Sequence, residues 1–278
     1  MHYINGLWVS EGGDEFVSTN PATGAVLWKG RVATPAQVTL AVAAAREAFP
    51  SWSQRSYDER YAIVSKFKML VDEAKEELAV LIAQEVGKAL WDARSEVAAV
   101  SAKLNNSDLA YRERTGIKTS VQAGFQAVIR HRPHGVMAVY GPYNFPAHLP
   151  NGHIMPALLA GNTIVFKPSE QTPLVSEWVM KKWVEAGLPA GVLNLVQGEK
   201  ETGIALAQSD VQGVLFTGSS ATGKLLHAQF AGRPEIMLAL EMGGNNPLIV
   251  SKISDISAAV YESLLSAYTG SGQQIGRA

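Results

Sequence analysis

At 278 residues with 47% apolar side chains, the chain can bury one large core or two modest ones, which excludes a disordered tail. Its 24 basic and 25 acidic residues nearly cancel, so no broad field draws in nucleic acid or an acidic membrane, and small ligands are the expected partners. The lack of cysteine excludes disulfides and thiolate metal ligands without fixing a compartment. No apolar run reaches the roughly 18 to 20 residues of a membrane span, and residues 1–10 lack the basic and apolar regions of a signal peptide. A cytoplasmic protein with no membrane contact is expected.

Residues 2–10 and 16–32 read as short strands, the second folded around Asn20-Pro21-Ala22-Thr23-Gly24, where proline presets φ and glycine accepts positive φ. Thr34, Pro35 and Gln37 form a capping-box start for a helix over 34–49, and Ser56 with Glu59 starts another reaching about 86. A third helical run covers 88–114. Residues 121–132 alternate weakly, as an extended arm does, before a compact apolar strand over 135–140 that Gly141 and Pro142 end. Strands then alternate with helices: 162–167, a helix over 173–186, 192–196, a helix over 202–208, and 213–216. Continuous apolar strands separated by helices predict a parallel α/β sheet buried on both faces, with ligand sites at the strands' carboxyl ends. A last helix, started by Asp255 or Ser257, runs to about 268.

The strand at 214–216 turns through Thr217, Gly218 and Ser219 into a helix beginning near Ala221. Such a helix start offers unpaired N–H groups and a positive dipole end to a pyrophosphate. An ordinary strand-to-helix turn explains the same residues. Gly218 to Gly223 followed by Lys224 also meets most of the spacing of a nucleotide-hydrolysing loop, but Leu225 stands where a magnesium-binding hydroxyl is needed, and G-x-G-x-x-G is absent. Lys167 and Glu170 alone read as a solvated charge pair, Asn144 as a turn residue, Glu241 as a strand-end carboxylate, and Gly243 and Gly244 as a turn. His148, Asn151 and His153 add polarity suited to a carboxylate-bearing ligand without the spacing of a zinc site, so no metal is expected. Arg130 and Arg132 could reach an anion, though an extended arm leaves them solvated.

Four segments coincide in order and spacing with one family: GPYNFP at 141–146, FKPSE at 166–170, FTGS at 216–219 and LEMGG at 240–244. The chain resembles the NAD(P)-dependent aldehyde dehydrogenase superfamily, from its first strand to Gln273. The resemblance implies an α/β, Rossmann-type NAD-binding domain with N-terminal helices, over 1–116 and 135–250. It also implies an oligomerisation arm at 117–134, a homo-oligomer in intact members, and a catalytic domain of which only 251–278 is present. Lys167 and Glu170 would bond the adenosine ribose of NAD, Glu170 disfavouring the 2′-phosphate of NADP. The turn of Gly218, Ser219, Ser220, Ala221, Thr222 and Gly223 would hold the pyrophosphate, with Tyr143 and Gly243 also against the cofactor. Asn144 would donate to the developing oxyanion, and Glu241 would act as general base, a role that burial favours by raising a carboxyl pKa.

A cysteine nucleophile should follow the Gly-Gln pair, yet Gly272 and Gln273 lead to Gln274 and Ile275. Ile275 stands at the nucleophile position and cannot form the covalent adduct. The implied activity is NAD-dependent oxidation of a carboxylated semialdehyde, N-succinyl-L-glutamate 5-semialdehyde in the branch with the nearest segments. This chain alone is expected to be inactive. The alternatives are a non-catalytic NAD-binding or interaction module and a dehydrogenase for another carboxylated semialdehyde.

Overall fold

Asn5 and Gly6 take positive φ, 48° and 86°, the pairing that turns a two-residue hairpin. The first apolar run is therefore two antiparallel strands, β1 (His2–Ile4) and β2 (Leu7–Val9), where one strand over 2–10 was expected. This computed structural model describes residues 1–244 and 247–272. Strands β3 (Glu15–Thr19) and β4 (Val26–Arg31) pair separately around the expected turn, where the Asn20 side chain accepts the Ala22 N–H at 2.9 Å and Gly24 has φ 72°.

Both capping boxes form: Thr34 with Gln37 starts α1 (Pro35–Gln54), and Ser56 with Glu59 starts α2 (Tyr57–Glu73). Helix α1 runs through Pro50, past the expected end at 49, and so brings Trp52 into the core with no exposed surface. The single helix expected to reach 86 breaks at Ala74, and α3 (Lys75–Val86) follows. The break lets Phe67 and Val71 on one side, and Leu78 and Ile82 on the other, all reach the same core. Gly87, at φ 78°, ends α3 in the left-handed conformation that glycine adopts freely. Helix α4 (Leu90–Arg114) leads to a hairpin of β5 (Ile117–Gln122) and β6 (Phe125–Arg130), which pair only with each other and leave Ile117, Val121, Phe125 and Ile129 exposed.

The remainder alternates as expected: β7 (Val136–Tyr140), α5 (His148–Leu159), β8 (Thr163–Lys167), α6 (Pro173–Glu185), β9 (Leu193–Leu195), α7 (Lys200–Ala207), β10 (Gly213–Gly218), α8 (Ser220–Phe230) and β11 (Met237–Met242). Helix α9 (Ile256–Tyr268), N-capped by Asp255, exposes Ile256, Val260, Leu264 and Tyr268, and a 3-10 turn (Thr269–Gly272) follows. Among the described residues the main sheet has the order β11-β10-β7-β8-β9-β1-β2. Its first five strands are parallel, while β1 and β2 add an antiparallel edge, so the sheet is mixed where a parallel one was expected.

Strand β7 shows why the sheet is covered on both sides. Met137 and Val139 join the core beneath α2, α5 and α6, while Val136, Ala138 and Tyr140 join the core beneath α1, α7 and α8, following the two-residue alternation of a strand. The chain steps from β7 outward to β8 and β9, then returns to place β10 on the other side of β7. Strand order thus reverses between β7 and β10, where a crevice opens at the carboxyl ends of an α/β sheet.

Helix α6 starts at Pro173 without a side-chain cap from Thr172. The buried Glu85 carboxylate supplies it from α3, accepting the Leu174 and Val175 N–H groups at 2.9 Å each and the Ser18 hydroxyl at 2.6 Å. Burial pushes the Glu85 carboxyl up to about 7, against the pull of those donors. Its value in the unfolded chain is lower, so the native state holds this proton more tightly. The associated stability is present in full below the unfolded value and is lost as pH rises through the folded one. Relative to Glu85→Gln, the wild-type chain is expected to lose roughly 3 kcal/mol between pH 4.5 and 7.5, read from urea midpoints across that range. Parallel pH profiles for the two proteins would refute the assignment.

Candidate functional site

A cleft of about 1210 Å³ occupies the reversal point, at the carboxyl ends of β7, β8, β10 and β11. Tyr143, Asn144, Lys167, Glu170, Gly218, Ser219, Thr222, Glu241 and Gly243 all line it, so one cavity gathers residues that lie a hundred positions apart in sequence. Ser220, Ala221 and Gly223 do not line it. They sit inside the first turn of α8, where Gly223 packs under Met242. Ile275 lies outside the described residues.

Lys167 and Glu170 form an ion pair at 3.3 Å, with the lysine side chain 10% exposed and the glutamate 45%. Burial draws the Lys167 ammonium below the usual lysine range, and Glu170 opposes that shift. A fully solvated pair would show no such effect. At the start of α8 the Ser219 hydroxyl accepts the Thr222 N–H at 3.1 Å and donates to the Thr222 hydroxyl at 2.9 Å. Ser219 is therefore the N-cap, and the other first-turn N–H groups have no acceptor within the helix. Gly218 is required for close approach: a Cβ there would stand 2.6 Å from the Phe216 ring.

Asn144 is held by residues that the motifs do not contain. The Lys88 ammonium donates to the Asn144 carbonyl at 2.7 Å and to Glu96 at 2.7 Å, and lies 4.0 Å from the centre of the Phe145 ring. Glu96 also accepts the Ala147 and His148 N–H groups at 3.0 and 3.1 Å. Both partners of this pair have wholly buried side chains. Burial pushes the Glu96 carboxyl up, and the Lys88 ammonium draws it back. The pair clamps the loop at 144–148 at both ends. Its signal in the sequence is a glutamate set within the apolar stripe of Ala93, Val97, Val100 and Leu104 on α4, since a charge on a buried face needs a partner.

Elsewhere in the cleft lining His153 Nε2 lies 2.9 Å from the Thr217 hydroxyl, and Thr217 is the register partner of Glu241 across β10 and β11. Burial holds the His153 imidazole below its usual range, with Glu241 opposing the shift. Glu241 itself is exposed, so the burial expected of a general base is not present, because β11 is the edge strand. Asn151 is no cleft residue: it is buried, donating to the Ala147 carbonyl at 2.8 Å and accepting from Trp183 at 3.2 Å. His148 is likewise outside the cleft lining, and burial lowers it to about 4. Arg130 and Arg132 lie exposed near the hairpin, away from the cleft lining. The Gly270 N–H, bonded to Asp92 at 2.9 Å, draws the turn at 269–272 to α4, and Gly272 reaches the cleft. Among the described residues no group of acidic, histidine or cysteine side chains could hold a metal, and no helix is long and apolar enough to cross a membrane.

A doubly wound sheet with a cleft at its reversal point, a lysine–glutamate pair and an N-terminal helix turn defines a dinucleotide-binding α/β domain. Residues 8–275 match the model described as the aldehyde dehydrogenase family, and the chain belongs to that family. Over 273 residues it is 57% identical to the N-succinylglutamate 5-semialdehyde dehydrogenase of Burkholderia ambifaria and 58% identical to that of Burkholderia vietnamiensis. These matches cover 98% of this chain and 56% of either relative, so the chain spans about half the length of the curated relatives it matches. Among solved structures, the NAD+ complex of an aldehyde dehydrogenase from Bacillus cereus superposes with a TM-score of 0.92 at 34% identity, covering 98% of this chain and 57% of that one.

Proposed function

We propose that this chain binds NAD in the cleft and forms the cofactor-binding part of an enzyme that oxidises N-succinyl-L-glutamate 5-semialdehyde to N-succinyl-L-glutamate. The observation that carries the reading is the meeting of a half-desolvated lysine–carboxylate pair and the start of α8 in one cavity of dinucleotide size. The substrate follows from identity to the two Burkholderia enzymes. Lys167 and Glu170 bond ribose hydroxyls as donor and acceptor, and the α8 start takes the pyrophosphate. Tyr143 and Gly243 flank the cofactor. NAD, when bound, supplies the hydride acceptor.

Where a nucleophile supplied by the whole enzyme adds to the aldehyde carbon, Asn144 would donate its side-chain N–H to the oxyanion so formed, one preorganised donor contributing about 3 kcal/mol. Glu241 takes a proton from the hydrolytic water. Isoleucine at 275 offers no nucleophile, so turnover by this chain alone is not expected, and that residue favours the second reading of a non-catalytic NAD-binding module. The hairpin of β5 and β6, with its exposed apolar residues, serves as an intersubunit arm over 117–134, between the two parts of a cofactor domain at 1–116 and 135–250. Residues 251–278 open the catalytic domain, and the protein works in the cytoplasm.

Isothermal titration with NAD and NADP is the test. Saturable NAD binding, weaker NADP binding, and a smaller gap between them in Glu170→Gln are expected. Failure to bind NAD at millimolar concentration would remove the cofactor from the reading.

A further inference from the structure

Lys103, on α4, lines the cleft together with Asn144, His153 and Glu241. It is half-buried, and among the described residues its ammonium makes no hydrogen bond or ion pair. The other two lysines of the cleft lining differ: Lys167 is committed to Glu170, and Lys200 begins α7. Space for Lys103 is made by a glycine in the middle of α5. A Cβ at Gly152 would lie 3.3 Å from Lys103 Cε and 3.4 Å from Nζ, so the end of the lysine rests against the helix backbone where a side chain would otherwise be. Glycine within a helix costs about 1 kcal/mol relative to alanine. Here it permits a cation to lie flat against the cleft wall.

The same charge acts on its neighbours. Behind the larger effect of burial, Lys103 helps to hold His148 below the usual histidine range, and it acts in the same direction on His153, where Glu241 opposes it more strongly. Both imidazoles are thus drawn toward the neutral form, mainly by burial. Glu241 shares the neighbourhood of His153 but forms no ion pair with Lys103. A partly desolvated ammonium without a carboxylate partner is complementary to an anionic ligand, and it also disfavours a neutral one, which would leave it unpaired.

We propose that Lys103 is a specificity-determining residue that binds a carboxylate of the substrate distal to its aldehyde carbon, selecting acid-bearing aldehydes over neutral ones. The inference rests on reading the cleft as that of a semialdehyde dehydrogenase.

The test titrates N-succinyl-L-glutamate and its neutral trimethyl ester into the full chain, with and without NAD, for the wild type, Lys103→Met and Lys103→Arg. The trianion is expected to bind the wild type better than the ester does. Lys103→Met should weaken the trianion by about 10- to 100-fold, the loss of one charge-assisted contact. Lys103→Arg should stay within about threefold of the wild type, and the ester should be indifferent to either change. The NAD affinity of the two variants, measured on the same preparations, should match the wild type and so certify their fold. Unaltered trianion binding by Lys103→Met, or a wild type that does not prefer the trianion, overturns the role of Lys103. Absence of NAD binding alongside preserved anion discrimination overturns the cofactor assignment and leaves the lysine site standing.

Discussion

Glu96→Ala is expected to lower the unfolding free energy by about 3 to 5 kcal/mol, the cost of leaving one buried charge without its partner. The lysine that remains would keep the Asn144 carbonyl as an acceptor at 2.7 Å, but its counter-charge would be gone from a site where neither side chain has any exposure. The Ala147 and His148 N–H groups would lose their acceptor at the same stroke, and unsatisfied buried donors add to the penalty. Urea unfolding, with unchanged slope and a shifted midpoint, measures the loss. Lys88→Met should be damaging for the same reason. The double variant Lys88→Met/Glu96→Leu should cost less than the sum of the singles, because removing both charges also removes their desolvation. Amide hydrogen exchange at Ala147 and His148 should quicken in Glu96→Ala, since the loop bearing Asn144 is clamped there. An unfolding free energy within about 0.5 kcal/mol of wild type, inside the range of an ordinary surface change, would contradict the clamp.

Trp183→Ala is expected to cost a similar 3 to 5 kcal/mol by a different mechanism, a cavity. Trp183 has no exposed surface and stacks on Phe67 with ring centroids 3.8 Å apart and planes 5° from parallel. Its Nε1–H donates to Asn151 at 3.2 Å. One side chain thus ties α6 to α2 and α5, the helices covering the face of the sheet beneath the Asn144 loop. Trp183→Phe keeps a stacking ring and forfeits the hydrogen bond, so it should cost less than the alanine variant. Thermal and urea unfolding of the pair separate the two terms. Equal losses would mean that the hydrogen bond to Asn151, rather than the stacked ring, dominates.

Much of the fold was legible because its determinants are local. The capping boxes at Thr34 and Ser56 need only residues three positions away, and β7, β8 and β10 announce themselves as unbroken apolar runs flanked by glycine or proline. The hairpin at Asn5 and Gly6 has an equally local signal, but three-residue strands carry little periodicity of their own, so the run over 2–10 reads as one strand. The break at Ala74 had none: alanine beside lysine and glutamate favours continued helix. It occurs because α2 and α3 must both present their apolar faces to one core.

For the site, the amino-acid sequence by itself determined which segments belong together, because the motifs at 141–146, 166–170, 216–219 and 240–244 each end a strand, and parallel strands deliver their carboxyl ends to one edge. That is a consequence of chain direction and requires no knowledge of side-chain contacts. Only the tertiary structure decided which side chains face the cleft and which support it. Ser220 and Ala221 fell on the exposed side of the first turn of α8 and Gly223 beneath Met242, Glu241 became an exposed edge residue, and Lys88 from the link between α3 and α4, with Glu96 and Lys103 from α4, entered from 40 or more positions upstream of the loop they serve. Burial and pairing of charge depend on contacts between distant elements, and these exist only once α4 has packed across α5.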